Sequence, residues 1–341
     1  MNVLFLHANQ PDYLAESLFH GLRQLLGEQC VDFPRYDSMY FPVPEGIRGR
    51  QRGYGFSLYG LLDDIESVKE ERFYWRSEFI LPKYDLVVIA DIWTMAGLAY
   101  DLSSVLDPKK MVILDGVDFP AFFPYANIKE NLIKQPLSFL MARSLDKYKY
   151  FKRELYGGLY NYGLDKYAPR SLVDRWKTLP KNRIPISFSI PKEKIWYGEI
   201  DCKTKDFPAH IVDSEVSSHV SDTSEHYLFT QEEEYYQDLR ASRFGVTTKR
   251  AGWDCLRHYE LAAQGCVLCF RDLDRKPDSC APHGLDKTNS IIYHNYSELE
   301  QKIADLTPDD YANLRKKTYQ WVERNTTIAR AKDFLDICCS L

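Results

Sequence analysis

The run RFGVTTKRAGWDCLRHYELAAQGCVLCF, residues 243–270, decides the fold. Its first five residues, Arg243–Thr247, predict a short strand, and a turn follows that carries Lys249, Arg250 and Gly252. Apolar spacing then predicts a helix from Trp253 to Gln264, closed by Gly265, before an apolar strand over Cys266–Phe270. A strand, a turn, a helix and a second strand make one β-α-β unit, which points to an α/β protein with a parallel sheet.

The polar residues of this unit fall at the turn and on one helix face. Lys249 and Arg250 stand beside a helix start, where exposed amides and the helix dipole favour an anion. Gly252 belongs to the same turn, Asp254 to the first turn of the helix, and Arg257 and Glu260 lie three apart, hence on one side of the helix. A diphosphate fits the first group, and a carboxylate one turn further on suits ribose hydroxyls. The bland alternative is an amphipathic helix with a surface Arg–Glu pair.

The pattern Lys249-x-x-Gly252-Trp253-Asp254-x-x-Arg257-His258-Tyr259-Glu260-x-x-Ala263-x-Gly265-Cys266 resembles the donor-site helix of GT-B glycosyltransferases, and within them the exostosin-like and CgeB-like branches. The resemblance implies two Rossmann-like domains facing across a cleft and transfer of a sugar from a nucleotide-diphosphate sugar to a hydroxyl acceptor, a glycan above all, lipid-linked or protein-linked. It further implies that Glu260 meets the ribose, that Lys249 and Arg257 face the diphosphate with Arg250 assisting, and that no metal cofactor is needed. A nucleotide-sugar epimerase or phosphorylase would keep the same pocket, and a non-catalytic glycan-binding protein would keep the scaffold alone.

Outward from this unit, upstream residues predict a helix over Gln231–Ala241, a Ser-rich acidic loop over Asp213–Glu225, and strands over Asp206–Val212 and Ile184–Ile190. Downstream, Asp272 and Asp274 form a D-x-D that reads as a turn more readily than as a metal site. A strand over Ser290–His294 and a helix over Ser297–Leu306, opened by the capping-box pattern Ser297-x-x-Glu300, come next. Two amphipathic helices, Thr307–Asn325 and Ile328–Cys339, close the chain, and the last is long enough to cross back to the first domain.

The first half opens with the strand Asn2–His7, a helix over Asp12–Leu26 and the strand Cys30–Phe33. Open sheets of this kind bind ligands beyond their strand carboxyl ends. His7 stands at such an end, as do Asp91 after the strand Tyr84–Ala90 and Asp115 and Asp118 after Met111–Leu114. These four are the candidate catalytic residues, because a base that deprotonates a sugar hydroxyl must reach into the cleft. The loop Glu45–Gly60 carries Arg48, Arg50 and Arg52, which make a candidate acceptor contact, since long irregular loops in compact domains are often functional. Lys149–Leu155 reads as the last strand of the first domain. The expected division is 1–183 and 184–341, with the connection near Pro180–Pro185.

Composition sets the outer limits. A chain of 341 residues suits two domains, and 45% hydrophobic residues supply ample core. The net charge of −5 argues against a general nucleic-acid binder. Eight scattered cysteines lack a disulfide framework, and Cys266 and Cys269 point to opposite faces of one strand, so reduced thiols and a cytoplasmic setting are expected. No apolar run approaches the length of a membrane span.

Overall fold

The computed structural model describes residues 1–50, 54–76, 81–175 and 179–340. Six parallel strands form the first sheet: β1 Val3–Leu6, β2 Cys30–Phe33, β3 Leu86–Ile89, β4 Met111–Asp115, β5 Lys149–Lys152 and β6 Arg183–Pro185, in the order β2-β1-β3-β4-β5-β6. The segments β1, β3 and β4 are buried at every residue, which explains their unbroken apolar sequences. From β1 the chain steps one way to β2 and the other way to β3, so the switch point lies between β1 and β3. The residues beyond their carboxyl ends are His7 and Asp91, and a crevice is expected there.

A second sheet, β7 Phe244–Thr248, β8 Val267–Arg271 and β9 Ile291–Tyr293, is also parallel. Helix Leu256–Ala263 joins β7 to β8, and Gly265 takes the left-handed conformation (φ 73°) that ends it. One apolar cluster runs through both halves, from Val3 and Phe5 under the first sheet to Leu268 and Phe270 under the second. Helix Thr327–Cys339 lies against helix Tyr13–Leu26 of the first half, and a Cβ on Gly21 would stand 2.0 Å from the Thr327 carbonyl oxygen. Only glycine allows that approach. His20 Nδ1 meets Thr327 Oγ1 at 2.9 Å, and the Phe334 ring sits 4.8 Å from that of Phe151.

Several local expectations are corrected. Ile184–Ile190 does not open the second sheet; its first residues belong to β6, paired with β5, so the first sheet runs through Pro185. Asp206–Val212 forms no strand and keeps one isolated bridge, His210 to Ser224. Within Asp213–Glu225, residues Ser214–His219 are helical because the Asp213 carboxylate caps the amides of Glu215 and Val216. Helix Tyr296–Ala304 is capped by Asn295, with Glu298 reaching back to the His294 amide, so its cap lies two residues before Ser297. The capping box falls instead on the next helix, Pro308–Arg324, between Thr307 and Asp310.

Candidate functional site

The turn after β7 is built differently from its sequence reading. The amides of Trp253 and Asp254, expected to receive a diphosphate, donate to Oε1 of Glu154 at 2.9 and 3.2 Å. Glu154 follows β5 of the first half, so an internal carboxylate occupies that anion position. Gly252 serves this contact, since a Cβ there would stand 2.5 Å from the same oxygen. Asp254 is buried, accepting the Phe188 amide at 2.8 Å and the Tyr259 hydroxyl at 3.0 Å; burial raises its pKa to about 6, against the opposing Arg153 charge. Arg153 closes the arrangement. Its guanidinium donates to the Gly116 carbonyl (3.0 Å), the Asp254 carbonyl (2.7 Å), Glu154 and Asp118. Gly252 and Asp254 therefore belong to an ionic clasp between the domains, a role no local motif announced.

One turn along the helix the surroundings change. Glu260 accepts the Ser57 hydroxyl on one oxygen and the Tyr235 hydroxyl (2.7 Å) on the other. Ser57 comes from the first half and also meets Tyr236 at 2.9 Å, so Glu260 lies where the two domains meet. An ionised carboxylate offers about four lone-pair positions, so acceptor capacity remains. Arg257 is half-buried and has no hydrogen bond and no carboxylate within ion-pairing distance among the described residues. Its guanidinium stands 5.8 Å from the centre of the Tyr227 ring. Burial opposes its charge, but Tyr235, Cys255, Glu260 and Tyr227 outweigh burial and hold its pKa above the usual arginine value. The surface Arg–Glu pair allowed by the sequence is absent: among the described residues no ion pair joins Arg257 to Glu260.

His210 adds to this group. Its Nδ1 donates to the Ser224 carbonyl at 3.0 Å, and its ring stands edge-on to Tyr227 at 5.2 Å. Burial, together with the charges of Arg257 and Arg250, lowers its pKa to about 4. The sequence carried no signal for His210, which lies in a segment read as a strand. Arg250 and Lys249 are exposed. Lys249 Nζ stands 5.4 Å from the Trp253 ring centre and 6.0 Å from that of Tyr156 in the first half. Its ring neighbours differ from that of Arg257.

Across the gap, a cavity of about 290 Å³ at the carboxyl ends of β1 and β3 is lined by His7, Asp12, Asp91, Asp118 and Arg153, among others. His7 does not suit the part of a base. Nε2 donates to the Pro34 carbonyl at 2.7 Å, Nδ1 accepts the Asn9 amide at 3.0 Å, and the ring stacks on Tyr36 at 3.7 Å. Burial lowers its pKa to about 4. Asp115 is also corrected: fully buried, it accepts from Tyr150, Trp93 Nε1 (3.2 Å) and the Val117 amide, and pairs with Lys152 at 3.0 Å. Asp91 caps helix Ile92–Ser103 through Oδ1, leaving Oδ2 without a hydrogen bond among the described residues.

Asp118, half-exposed, pairs with Arg153. Asp12, which sequence reading treated as a helix start alone, caps Leu14 and Ala15 through Oδ1. Burial, helped by the Asp91 charge, lifts its pKa to about 6.

The candidate acceptor arginines fare differently. Arg48 is tied to its own loop, donating to the Tyr54 and Tyr59 carbonyls at 3.3 and 3.1 Å. The Arg50 side chain and all of Arg52 lie outside the described residues. The remainder of that loop is no open flap: Phe56, Ser57, Leu58 and Tyr59 are buried. At the D-x-D, Asp272 adopts a left-handed turn (φ 57°) and pairs with His294 at 2.8 Å and Arg275 at 3.2 Å.

No family model and no curated protein matches the chain. Solved structures do. A trehalose-6-phosphate synthase superposes with a TM-score of 0.54 at 12% identity, covering 100% of this chain and 99% of its own. An E. coli trehalose-6-phosphate structure bound with UDP-2-fluoro glucose gives 0.53 at 12% identity, with the same coverage. The sucrose-phosphate synthase of Thermosynechococcus elongatus gives 0.53 at 11%, covering 99% of this chain and 98% of that one. The fold is GT-B. Two Rossmann-like domains face each other across a cleft, and Arg257, Glu260 and His210 belong to the second, Asp12 and Asp91 to the first. Among the described residues, no helix is long and apolar enough to cross a membrane.

Proposed function

We propose that this protein is a glycosyltransferase that moves a sugar from a nucleotide-diphosphate donor to a hydroxyl acceptor, and that it does so without a metal. The observation that carries the reading is Arg257: a half-buried guanidinium with no hydrogen bond and no ion pair among the described residues, one helical turn before a carboxylate that already accepts hydroxyl groups. A cation drawn out of water without a counter-charge is costly, and a bound diphosphate would supply one. Glu260 retains acceptor positions for ribose hydroxyls. The expected diphosphate position therefore moves from the Trp253 and Asp254 amides, which Glu154 fills, toward Arg257, Arg250 and His210. The same Arg-x-x-Glu spacing supports the exostosin-like and CgeB-like branches as the finer relationship.

In this reaction the bond between the anomeric carbon and the diphosphate oxygen breaks, its electrons leaving with the diphosphate, while a bond forms to the acceptor oxygen. Arg257 and Arg250 offset the charge that grows on the departing group. The acceptor proton passes to a carboxylate of the first domain. Asp12 and Asp91 are placed for this, and a carboxyl with a pKa near 6 is ionised at neutral pH yet basic enough to share a proton. All eight cysteines are free, which supports a reducing, cytoplasmic setting.

A thermal-shift screen against UDP, GDP, TDP and CDP tests the proposal. At a hundredfold excess over the dissociation constant, the matching nucleotide stabilises by about 2.7 kcal/mol. Unchanged melting with all four, confirmed by calorimetry, contradicts it.

A further inference from the structure

A second and larger cavity, of about 630 Å³, opens on the first domain beyond the ends of β3 and β4. Its volume lies within the range of about 300–1,000 Å³ typical of small-ligand sites. One wall is aromatic. Trp93 meets Phe119 and Phe123 edge to face at 5.2 and 5.3 Å, and Phe119 keeps 37% of its surface exposed. This corner is held in place, because Trp93 Nε1 donates to the buried Asp115, itself fixed by Tyr150 and Lys152. Asp115, expected from the sequence to be catalytic, thus positions an aromatic platform.

The opposite wall is polar and carries little positive charge. Asn131 and Gln135 present side-chain amides there; Asn131 Nδ2 donates to the Pro124 carbonyl at 2.6 Å, and its Oδ1 has no hydrogen bond among the described residues. The charged lining consists of Glu130, Asp165 and Lys166, with Glu130 already paired to Lys134 at 2.6 Å. With Glu130 neutralised by Lys134, Asp165 and Lys166 balance each other, and a phosphate or a nucleotide finds no net counter-charge. A sugar ring fits such a lining, since its C–H faces lie on aromatic rings while its hydroxyl edges meet amides and carboxylates.

We propose that this cavity binds a neutral oligosaccharide. That makes the acceptor of the reaction above a glycan rather than a sugar phosphate, and in this respect the inference rests on the transferase reading. The chain links the two places directly: Asp118 lines the smaller cavity at the gap, and the next residue, Phe119, lines the larger one. A glycan seated on Trp93 and Phe119 can extend its end toward Asp91 and Asp12.

The test uses the full chain, titrated with neutral trisaccharides of the malto, cello, xylo and manno series and followed by calorimetry and tryptophan fluorescence. Glucose-6-phosphate and the four nucleoside diphosphates serve as counter-probes. At least one trisaccharide should bind. Phe119→Ala should weaken it tenfold or more and Gln135→Ala threefold or more, with melting and nucleotide affinity unchanged in both. The proposal is overturned if no trisaccharide binds, if both variants bind it like the parent, or if glucose-6-phosphate binds more tightly and is lost in the same variants. Glycan binding that depends on Phe119 without binding of any nucleotide would uphold the cavity and remove the transferase reading. The converse pattern would remove the cavity alone.

Discussion

Two arginines at the domain boundary have opposite surroundings. Arg153 is fully buried, and its donors reach two carboxylates and two backbone carbonyls drawn from both halves of the chain. Arg257 is half-buried, has no hydrogen bond and no ion pair among the described residues, and stands 5.8 Å from the centre of the Tyr227 ring. A paired buried cation fastens structure, and an unpaired one at a cleft is open to a ligand. The difference separates residues that look equally promising in sequence: Gly252 and Asp254 go with the clasp, Arg257 and Glu260 with the gap.

Removing the paired arginine is the strongest way to break this contrast. Arg153→Met leaves Glu154 buried without its cation and should cost about 3–5 kcal/mol in urea unfolding. A loss under about 1 kcal/mol would mean that the clasp does not hold the domains.

A carboxylate sharpens the same contrast. Glu16 on helix Tyr13–Leu26 is fully buried, accepts the Tyr59 hydroxyl at 3.0 Å on one oxygen and leaves the other without a partner. Burial pushes its pKa up to about 8. Because the folded state holds this proton more tightly than the unfolded chain, the group's contribution is full below the unfolded value near 4.5. It falls as pH rises and is lost once pH passes 8. Between pH 5 and 8 the wild type should therefore lose about 3 kcal/mol relative to Glu16→Gln. Parallel stability curves for the two proteins would contradict the unpaired burial of this group.

The smallest effect is expected at Lys249. It is exposed and has no hydrogen bond or ion pair among the described residues, its Nζ standing over the rings of Trp253 and Tyr156, so Lys249→Ala should change stability by less than about 0.5 kcal/mol and nucleoside diphosphate affinity by about threefold at most. A larger loss of affinity would move the diphosphate toward Trp253 and Tyr156 and away from Arg257.

Much of the framework was legible before any coordinates. Apolar runs fixed β1, β3, β4 and β8, because a parallel strand buried on both faces has no place for polar residues. Gly265 marked the end of the central helix by its left-handed turn. The site was legible only where function and local pattern coincide, in the Arg257–Glu260 spacing. The filling of the Trp253 and Asp254 amides depends on Glu154, about a hundred residues away, and no helical or strand period encodes such a contact. His7 and Asp115 stood at the correct strand ends, yet their partners, Pro34, Asn9, Tyr150 and Trp93, come from other loops and elements. β6 was assigned to the wrong sheet because three residues carry too little pattern to reveal a partner strand.

Calorimetric titration of the nucleoside diphosphate found by the screen, into wild type and Arg257→Ala side by side, tests the central claim most directly. A vacant guanidinium that receives the diphosphate predicts at least a tenfold loss of affinity, about 1.4 kcal/mol, with the melting temperature of the free protein held or raised. Equal affinities in the two proteins, or a variant that unfolds while its nucleotide binding persists, would show that Arg257 is structural and that the anion site lies elsewhere.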